Sequence, residues 1–528
     1  MTDFKVIPRD SSQANFLAQK KSRLDLKVKE VKASGLDFKR MIYQQEIDLD
    51  HLLIDQLKLD LARPASRVKK SSPSGKDKSP DRDALKKAVL GIPLFVHLDK
   101  VELKNASLLI KDVHPQKPEE VLSYHQLDTF SLTFHHFSLG PAIDTSLNQA
   151  LNSRNVALDI KHYTHLNSPG MTKLYIEQAK ISARDSVLLI RNASLKPLVS
   201  NEEFSARTQH QKMLIDAQVE LVQANHLDFE RMAFQQEFIL GRVDLIAPRF
   251  KAYVDKRKPK KRNQKYQNFE AMLRSIPLFI EVDTFSMQDA AFEYLEQKKP
   301  KDQESQFARH QAQNIDLQIT DAQFGLAAQG SAFENIEKKS LHLGLENYQY
   351  FTSNGDYQLG IWRVQVSSLS QSIRIDSLKF SPNRSPEEFA QRNAYRYSQA
   401  NIAIDQLFGG QVNFKRLLRR QEIDWGSLKL INPQLRIYQD LRPPKRPKSK
   451  PAPSDNQNKI LASAPPTPLP AATPQKKEAG LRKILKELPV YIKIDTFQVI
   501  NAALDYQTQS PTQSGSGRAS HQVDHINF

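Results

Sequence analysis

Three aspartates recur in matched surroundings along this 528-residue chain, Asp99, Asp283 and Asp495, and repeated carboxylates invite a reading as general acids or bases. Each sits at the end of an apolar alternating stretch, beside a break in its parity. Aspartate commonly accepts hydrogen bonds from turn backbone at such points, so the expected role is structural. A residue present in three copies is better explained by architecture than by one active centre. The 14 histidines include His135-His136 and His162 with His165. Adjacent histidines on a strand point to opposite faces, so His135 and His136 do not suit one metal ion. Gln44-Gln45-Glu46 and its copies read as a helix exit. Absence of cysteine removes disulfides, thiolate zinc sites and cysteine nucleophiles, and leaves the redox compartment open. Gly-x-Gly-x-x-Gly, Gly-x-x-x-x-Gly-Lys-Ser/Thr, His-Glu-x-x-His and Gly-x-Ser-x-Gly are all missing. The expectation is a non-enzymatic chain with no catalytic residue, no metal and no cofactor.

The net charge of +17 raises the question of nucleic acid. Residues 62–84 carry +4, 256–266 carry +7 and 442–477 carry +7, which leaves the remainder close to neutral. Lys256-Arg257-Lys258-Pro259-Lys260-Lys261-Arg262 looks like a nuclear-localisation or phosphate-binding run. Aromatic residues do not interleave with these cations as a single-strand groove requires, so the segments read as solvated, disordered basic linkers and no nucleic acid is expected. Mean hydropathy is −0.55. No run approaches the ~18 apolar residues of a spanning helix, and the first ten residues show no apolar export core.

Self-similarity organises the chain. Leu36-Asp37-Phe38-Lys39-Arg40-Met41-Ile42-Tyr43-Gln44-Gln45-Glu46-Ile47 returns from Leu227 to Phe238 and again from Val412 to Ile423. Copies two and three continue to Pro248 and Pro433, then to Tyr253 with Asp255 and Tyr438 with Asp440; copy one has Leu57 in place of the proline. A second block follows each basic segment, as Ile92-Pro93-Leu94-Phe95-Val96-His97-Leu98-Asp99, Ile276 to Asp283 and Leu488 to Asp495. Each leads to a matched pair, Asn105-Ala106, Asp289-Ala290 and Asn501-Ala502. The repeat steps from Phe38 to Phe229 and on to Phe414, and the variable part of its length is the linker. The span from Phe414 to Pro489 is half as long again as that from Phe229 to Pro277. The expected segments are a lead-in over 1–23, a partial block over 24–61, linkers at 62–84, 256–266 and 442–480, units over 85–255 and 267–441, and the start of a further unit at 481–528.

These blocks must be positioned by strands. Apolar residues step by two in the second block, which places them on one strand face with His97, Glu281 or Lys493 on the other. Parity breaks after the aspartate and again near the Asn-Ala pair, where a turn or bulge is expected to reset the face. Val156–Ile160 and Ile373–Leu378 alternate in the same way. Short helices are expected at Leu481–Leu488, ended by Pro489, and at Phe38–Gln45 with Asp37 as N-cap. The expected fold is mainly β: an elongated, curled, repetitive antiparallel sheet of groove type with a few short helices. Its apolar face needs a cover, whether a second sheet, a fold-back of the same sheet or a bound apolar ligand.

Asn413-Phe414-Lys415-Arg416 through Gln421-Glu422-Ile423, followed by Leu428-Lys429-Leu430-Ile431-Asn432-Pro433-Gln434-Leu435-Arg436-Ile437-Tyr438-Gln439-Asp440, resembles the AsmA-like family of bacterial envelope proteins, related to TamB and the bridge-like lipid-transfer proteins. The Pro489–Tyr506 pattern adds to the resemblance, and the repeat extends it over nearly all of the chain. It implies a curled sheet with an apolar groove that passes phospholipids or other acyl-chain lipids between inner and outer membranes, in a periplasmic protein anchored in the inner membrane. The groove candidates are Val96, Leu98, Val101 and Leu103; Ile280, Val282, Phe285 and Met287; and Ile492, Ile494, Phe497 and Val499. The family's anchor and export signal are not in this chain, which reads as a window from a longer protein whose other parts supply membrane association. Two other readings stay open: a structural or adhesive β-repeat, and nucleic-acid binding through the linkers.

Overall fold

The structure, a computed structural model, describes residues 2–6, 22–65, 95–114, 117–139, 156–167, 170–229, 231–232, 237–260, 279–298, 306–324, 340–392, 394–420, 422–445, 492–512 and 515–528. The chain is mainly β. It divides into two units, 1–355 with 359–375, and 356–358 with 376–528. The expected helix at 481–488 lies outside the described residues, as do the linkers apart from 62–65, 256–260 and 442–445.

In the first unit the succession is β1 (Thr2–Val6), β2 (Arg23–Ser34), α1 (Phe38–Tyr43), β3 (Glu46–Asp55), β4 (Lys58–Pro64), β5 (Phe95–His114), β6 (Lys117–Leu139), β7 (Val156–Leu166), β8 (Thr172–Ser182), β9 (Val187–Pro197), α2 (Asn201–Arg207), β10 (Met213–Asn225), β11 (Glu237–Ile246), β12 (Arg249–Asp255), β13 (Phe279–Lys298), β14 (Gln306–Phe324), β15 (Leu341–Phe351) and β16 (Tyr357–Ser367). β17 (Ser372–Pro382) starts in the first unit and ends in the second, which contributes α3 (Pro386–Arg392), β18 (Tyr397–Val412), α4 (Phe414–Arg420), β19 (Ile423–Ile431), β20 (Gln434–Asp440), β21 (Ile492–Ile500), β22 (Ala502–Thr512) and β23 (Gly515–Ile526).

The repeat is visible in the caps. Asp37 accepts from the backbone N of Lys39 and Arg40 at 2.9 and 3.1 Å, so the expected N-cap starts α1. Asp228 and Asn413 do the same for Arg231 and Arg416, each at 3.0 Å. Gln45 exits α1 with φ +56°, which fits the helix-exit reading of Gln44-Gln45-Glu46. One repeat later than α2, α3 starts from an equivalent serine: Ser200 and Ser385 accept from the N–H of Glu203 and Glu388 at 3.2 Å. Phe204 and Phe389 are buried beneath these two helices.

Hairpin neighbours pair antiparallel, as expected, but at each linker the pairing is parallel. β3 and β4 lie parallel to β5, β11 and β12 to β13, β19 to β21 and β20 to β22. The sheets are therefore mixed. Parallel neighbours cannot be joined by a tight turn, because the chain must travel back along the strand before re-entering. That requirement explains why the linkers fall at one fixed point of the repeat. The strand that precedes each linker is bent rather than continuous. Gln56, Ala247 and Asn432 take φ of +51°, +49° and +52°, and the next carbonyl, of Leu57, Pro248 or Pro433, accepts from Ser107, Ala291 or Ala503 N. Leu57 thus makes the same bend as the two prolines.

Of the turn or bulge expected at the parity breaks, the Asn-Ala pairs carry the bulge: the β5–β6 and β13–β14 registers shift there. β5 and β13 each run 20 residues straight through both breaks. Asn105, Asp289 and Asn501 adopt φ of +50°, +51° and +53° within the sheet. Asparagine and aspartate tolerate this left-handed conformation best among residues with a side chain. The alanine that follows meets close packing, with Ala106 and Ala290 only 0% and 1% exposed. At the first break the left-handed residue lies on the partner strand: the β5–β6 ladder steps from Leu98–Phe137 to Lys100–His135, passing over Asp99 and His136, whose φ is +50°. Asp283 faces the same situation with Asp321, φ +51°. The expected turn-capping role of these aspartates is therefore replaced by an exposed place inside a strand, where Asp99 meets His97 at 3.3 Å and Asp495 meets Lys493 at 3.2 Å.

Candidate functional site

Each left-handed residue shifts the side-chain alternation by one, so the apolar face survives the break. Register pairs Val101 with Leu52 and Phe134, and Leu103 with Ile54 and Leu132. Cross-strand partners share a face, so such pairs can be followed across the sheet. From Val31 of β2 the row passes to Ile54, Leu103, Leu132, Leu158 and Ile181. It continues through Leu188, Ala224, Val243, Phe285 and Ile319 to Leu341 of β15. Every member on these twelve strands is apolar, and at ~4.8 Å per strand the row is about 53 Å long. A second row lies beside it, from Ala106 and Phe130 through Ile160, Ala179, Ile190, Val222, Leu245, Met287 and Leu317 to Leu343.

Most of these side chains are only half-buried. A two-layer domain covers such a face with a second sheet or with helices. Here the strands of the first unit belong to one hydrogen-bonded sheet, and the fully buried clusters among the described residues are small. One cluster closes an end of the face: Phe229 and Met232 pack over Leu227, Leu240 and Val282. The other holds α2 through Phe204 against Leu214 and Tyr253, on the opposite side of the sheet.

The sequence-derived groove residues divide by environment. Val96, Val101, Leu103, Ile280, Phe285, Met287 and Ile494 are half-buried, and Leu103 and Phe285 lie on the same row, seven strand steps apart. Leu98, Val282 and Val499 are buried. Phe497 is 47% exposed. Ile492 is placed by its backbone register with Ile423, and its side chain is outside the description.

Beyond the Asn-Ala breaks the same face becomes polar in steps. First come Leu59, Leu108 and Leu127 in register in copy one, and Phe250, Phe292 and Ala312 in copy two. Next is a band that apolar periodicity alone does not reveal: His125 partners Ile110 and His165, His310 partners Tyr294 and Tyr350, and His521 partners Tyr506. His125 Nδ1 and the Tyr163 hydroxyl share a hydrogen bond of 2.9 Å, and His310 and Tyr348 share one of 2.9 Å. His125 stacks on His165 at 4.1 Å between ring centres, and His310 stacks on Tyr350 at 4.4 Å. The step from His125 to His310 equals that from Tyr163 to Tyr348, and it is also the step from Phe229 to Phe414; that spacing was the available signal. Burial holds both imidazoles below their ordinary range and pushes Tyr163, Tyr294 and Tyr348 up.

Outermost is a row of ions. In copy one Arg63 pairs with Asp112 at 2.9 Å, and Ser123 donates to the same carboxylate at 2.7 Å. In copy two Lys256 and Lys298 pair with Glu296 at 3.0 and 3.7 Å. Burial works against the Glu296 carboxylate, but the Lys256 ammonium and Tyr294 hydroxyl keep its pKa below the usual range. The basic run at 256–266, expected to be solvated, thus has its first two cations tied into the fold, since Arg257 also pairs with Asp255 at 2.9 Å. Comparison with protein-family models, curated proteins and solved structures finds no match for the chain.

Proposed function

We propose that the chain is a non-enzymatic lipid carrier whose apolar sheet face binds acyl chains and lets them move from strand to strand. The observation that carries this reading is the unbroken apolar row from Val31 to Leu341, half-buried on a sheet with little packed over it among the described residues. Each methylene removed from water contributes ~0.8 kcal/mol, so an acyl chain is held without any specific polar contact and can slide by exchanging equivalent contacts. Phospholipid is the proposed cargo, and the resemblance to AsmA-like proteins suggests the cell envelope as the setting, with transfer between its two membranes. The test is lipid extraction and native mass spectrometry of the purified chain, alongside a fluorescent phospholipid titration. Co-purifying phospholipid and saturable binding, both reduced at least tenfold by Leu158→Asp/Ile181→Asp in a folded variant, support it. Absence of both sinks it.

A further inference from the structure

Resting on that reading, we infer that the apolar face binds phospholipids in one orientation, with the phosphate-bearing head group at the His–Tyr band and ion row and the acyl chains running back across the Asn-Ala breaks. Three observations support it. The face is asymmetric along the strands: one end is closed by apolar packing of Phe229 and Met232, whereas the other ends in hydrogen-bonding rings and charges. The polar end recurs in register, because His125, His310 and His521 hold equivalent positions. The charges also suit a head group. Lys256, Lys298 and Arg63 can meet a phosphate, while the Tyr294 and Tyr348 rings present an apolar body with a polar tip, the chemistry favoured where lipid meets water.

Dimensions agree. From Tyr294 back to Phe285 is nine strand residues, about 30 Å, against the ~15 Å that one leaflet of a bilayer core provides for an acyl chain. A lipid reversed on this face would lay its charged head on the apolar rows, where no polar partner meets it.

The experiment is photo-crosslinking of the full chain with vesicles of phosphatidylethanolamine and phosphatidylglycerol, doped with a phospholipid carrying a diazirine either in the head group or at the acyl terminus. Adducts are mapped by mass spectrometry. The head-group probe is expected on residues 163–166 and 348–351, and the acyl probe on residues 156–160 and 341–343, each with at least fivefold preference. Lys256→Ala/Lys298→Ala is expected to lower head-group labelling near Tyr348 severalfold while acyl labelling persists. Acyl labelling with the head-group probe evenly spread or reversed overturns the orientation and leaves lipid binding standing. No labelling by either probe overturns both.

Discussion

Asp440 and Arg442, two positions apart at the end of β20, close on each other through four hydrogen bonds. The carboxylate accepts from Arg442 backbone N at 3.0 Å, from Nε at 3.0 and 3.2 Å, and from Nη2 at 2.7 Å. Asp440 is 0% exposed, and Asp255 with Arg257 repeats the arrangement one unit earlier. Both pairs hold a strand end just where the chain leaves for a linker. Asp440→Asn is expected to cost about 2 kcal/mol, read as a lower thermal unfolding midpoint, since charge-assisted bonds are lost from a buried group. Arg442→Lys should cost nearly as much, because the planar fork is lost although the charge is kept. Unchanged midpoints in both variants would contradict this role.

The left-handed residues within strands give a sharper test. Asn501 has φ +53°, and the hydrogen bond it makes to Asn527 Oδ1 comes from its own backbone N–H, which any residue other than proline retains. Asn501→Gly should therefore be close to neutral, whereas Asn501→Val should destabilise by about 1–2 kcal/mol. A valine tolerated as well as glycine would mean that the conformation is not required.

The half-buried imidazoles set a pH dependence. His125 faces His165, Tyr163, Arg63 and Asp112, and His310 faces Tyr294, Tyr348, Tyr350, Glu296 and Lys298. Burial lowers both folded-state values, so the unfolded chain takes up protons first on acidification. The contribution is present above about 6.5, the unfolded imidazole value, and is lost as pH falls through the folded values. Midpoints measured from pH 8 to 5 should decline below about 6.5, and His125→Phe/His310→Phe should flatten part of that decline. An identical slope in the double variant would remove these groups as its source.

Linker length has a computable minimum. The β11–β12 path covers residues 237–255, about 60 Å, and the 23 residues from 256 to 278 can span about 80 Å when extended. Deleting 446–472 from the third linker makes it about as long as the second, so β19–β21 pairing and the circular dichroism spectrum should be preserved. Deleting 263–270 from the second cuts its extended reach to about 50 Å, short of the path it must retrace. That deletion should disrupt the parallel joint, seen as new protease cleavage and a lower unfolding midpoint.

Much of this fold was legible in the repeat. The Asp37 cap, the alternation of Val101 and Leu103 and the fixed place of the linkers all follow from local chemistry that a sequence displays. Strand direction was not legible, because alternation reports which face a residue occupies and says nothing about the neighbour across the ladder. The parity breaks left turn and bulge open for a related reason: Asn105 and Asp289 are turn formers by type, and only the ladder on both sides shows that the strand continues through a bulge. The His–Tyr band was missed because a search for apolar steps counts His125 and His310 as interruptions. In the fold they continue the face and change its chemistry.

The parallel joints decide more than where the linkers fall. From β5 to the bent β11–β12 path, seven strand lines alternate in direction, and seven is odd. Had β13 followed by a hairpin, the second copy would run upside down, and its ring-and-ion edge would lie at the opposite end of the strands from the first copy's. The return crossover cancels that inversion and sets β13 pointing the same way as β5. Units joined in this manner can be duplicated or deleted whole without turning the pattern over, so the length of such a chain is free to change while its two edges stay distinct.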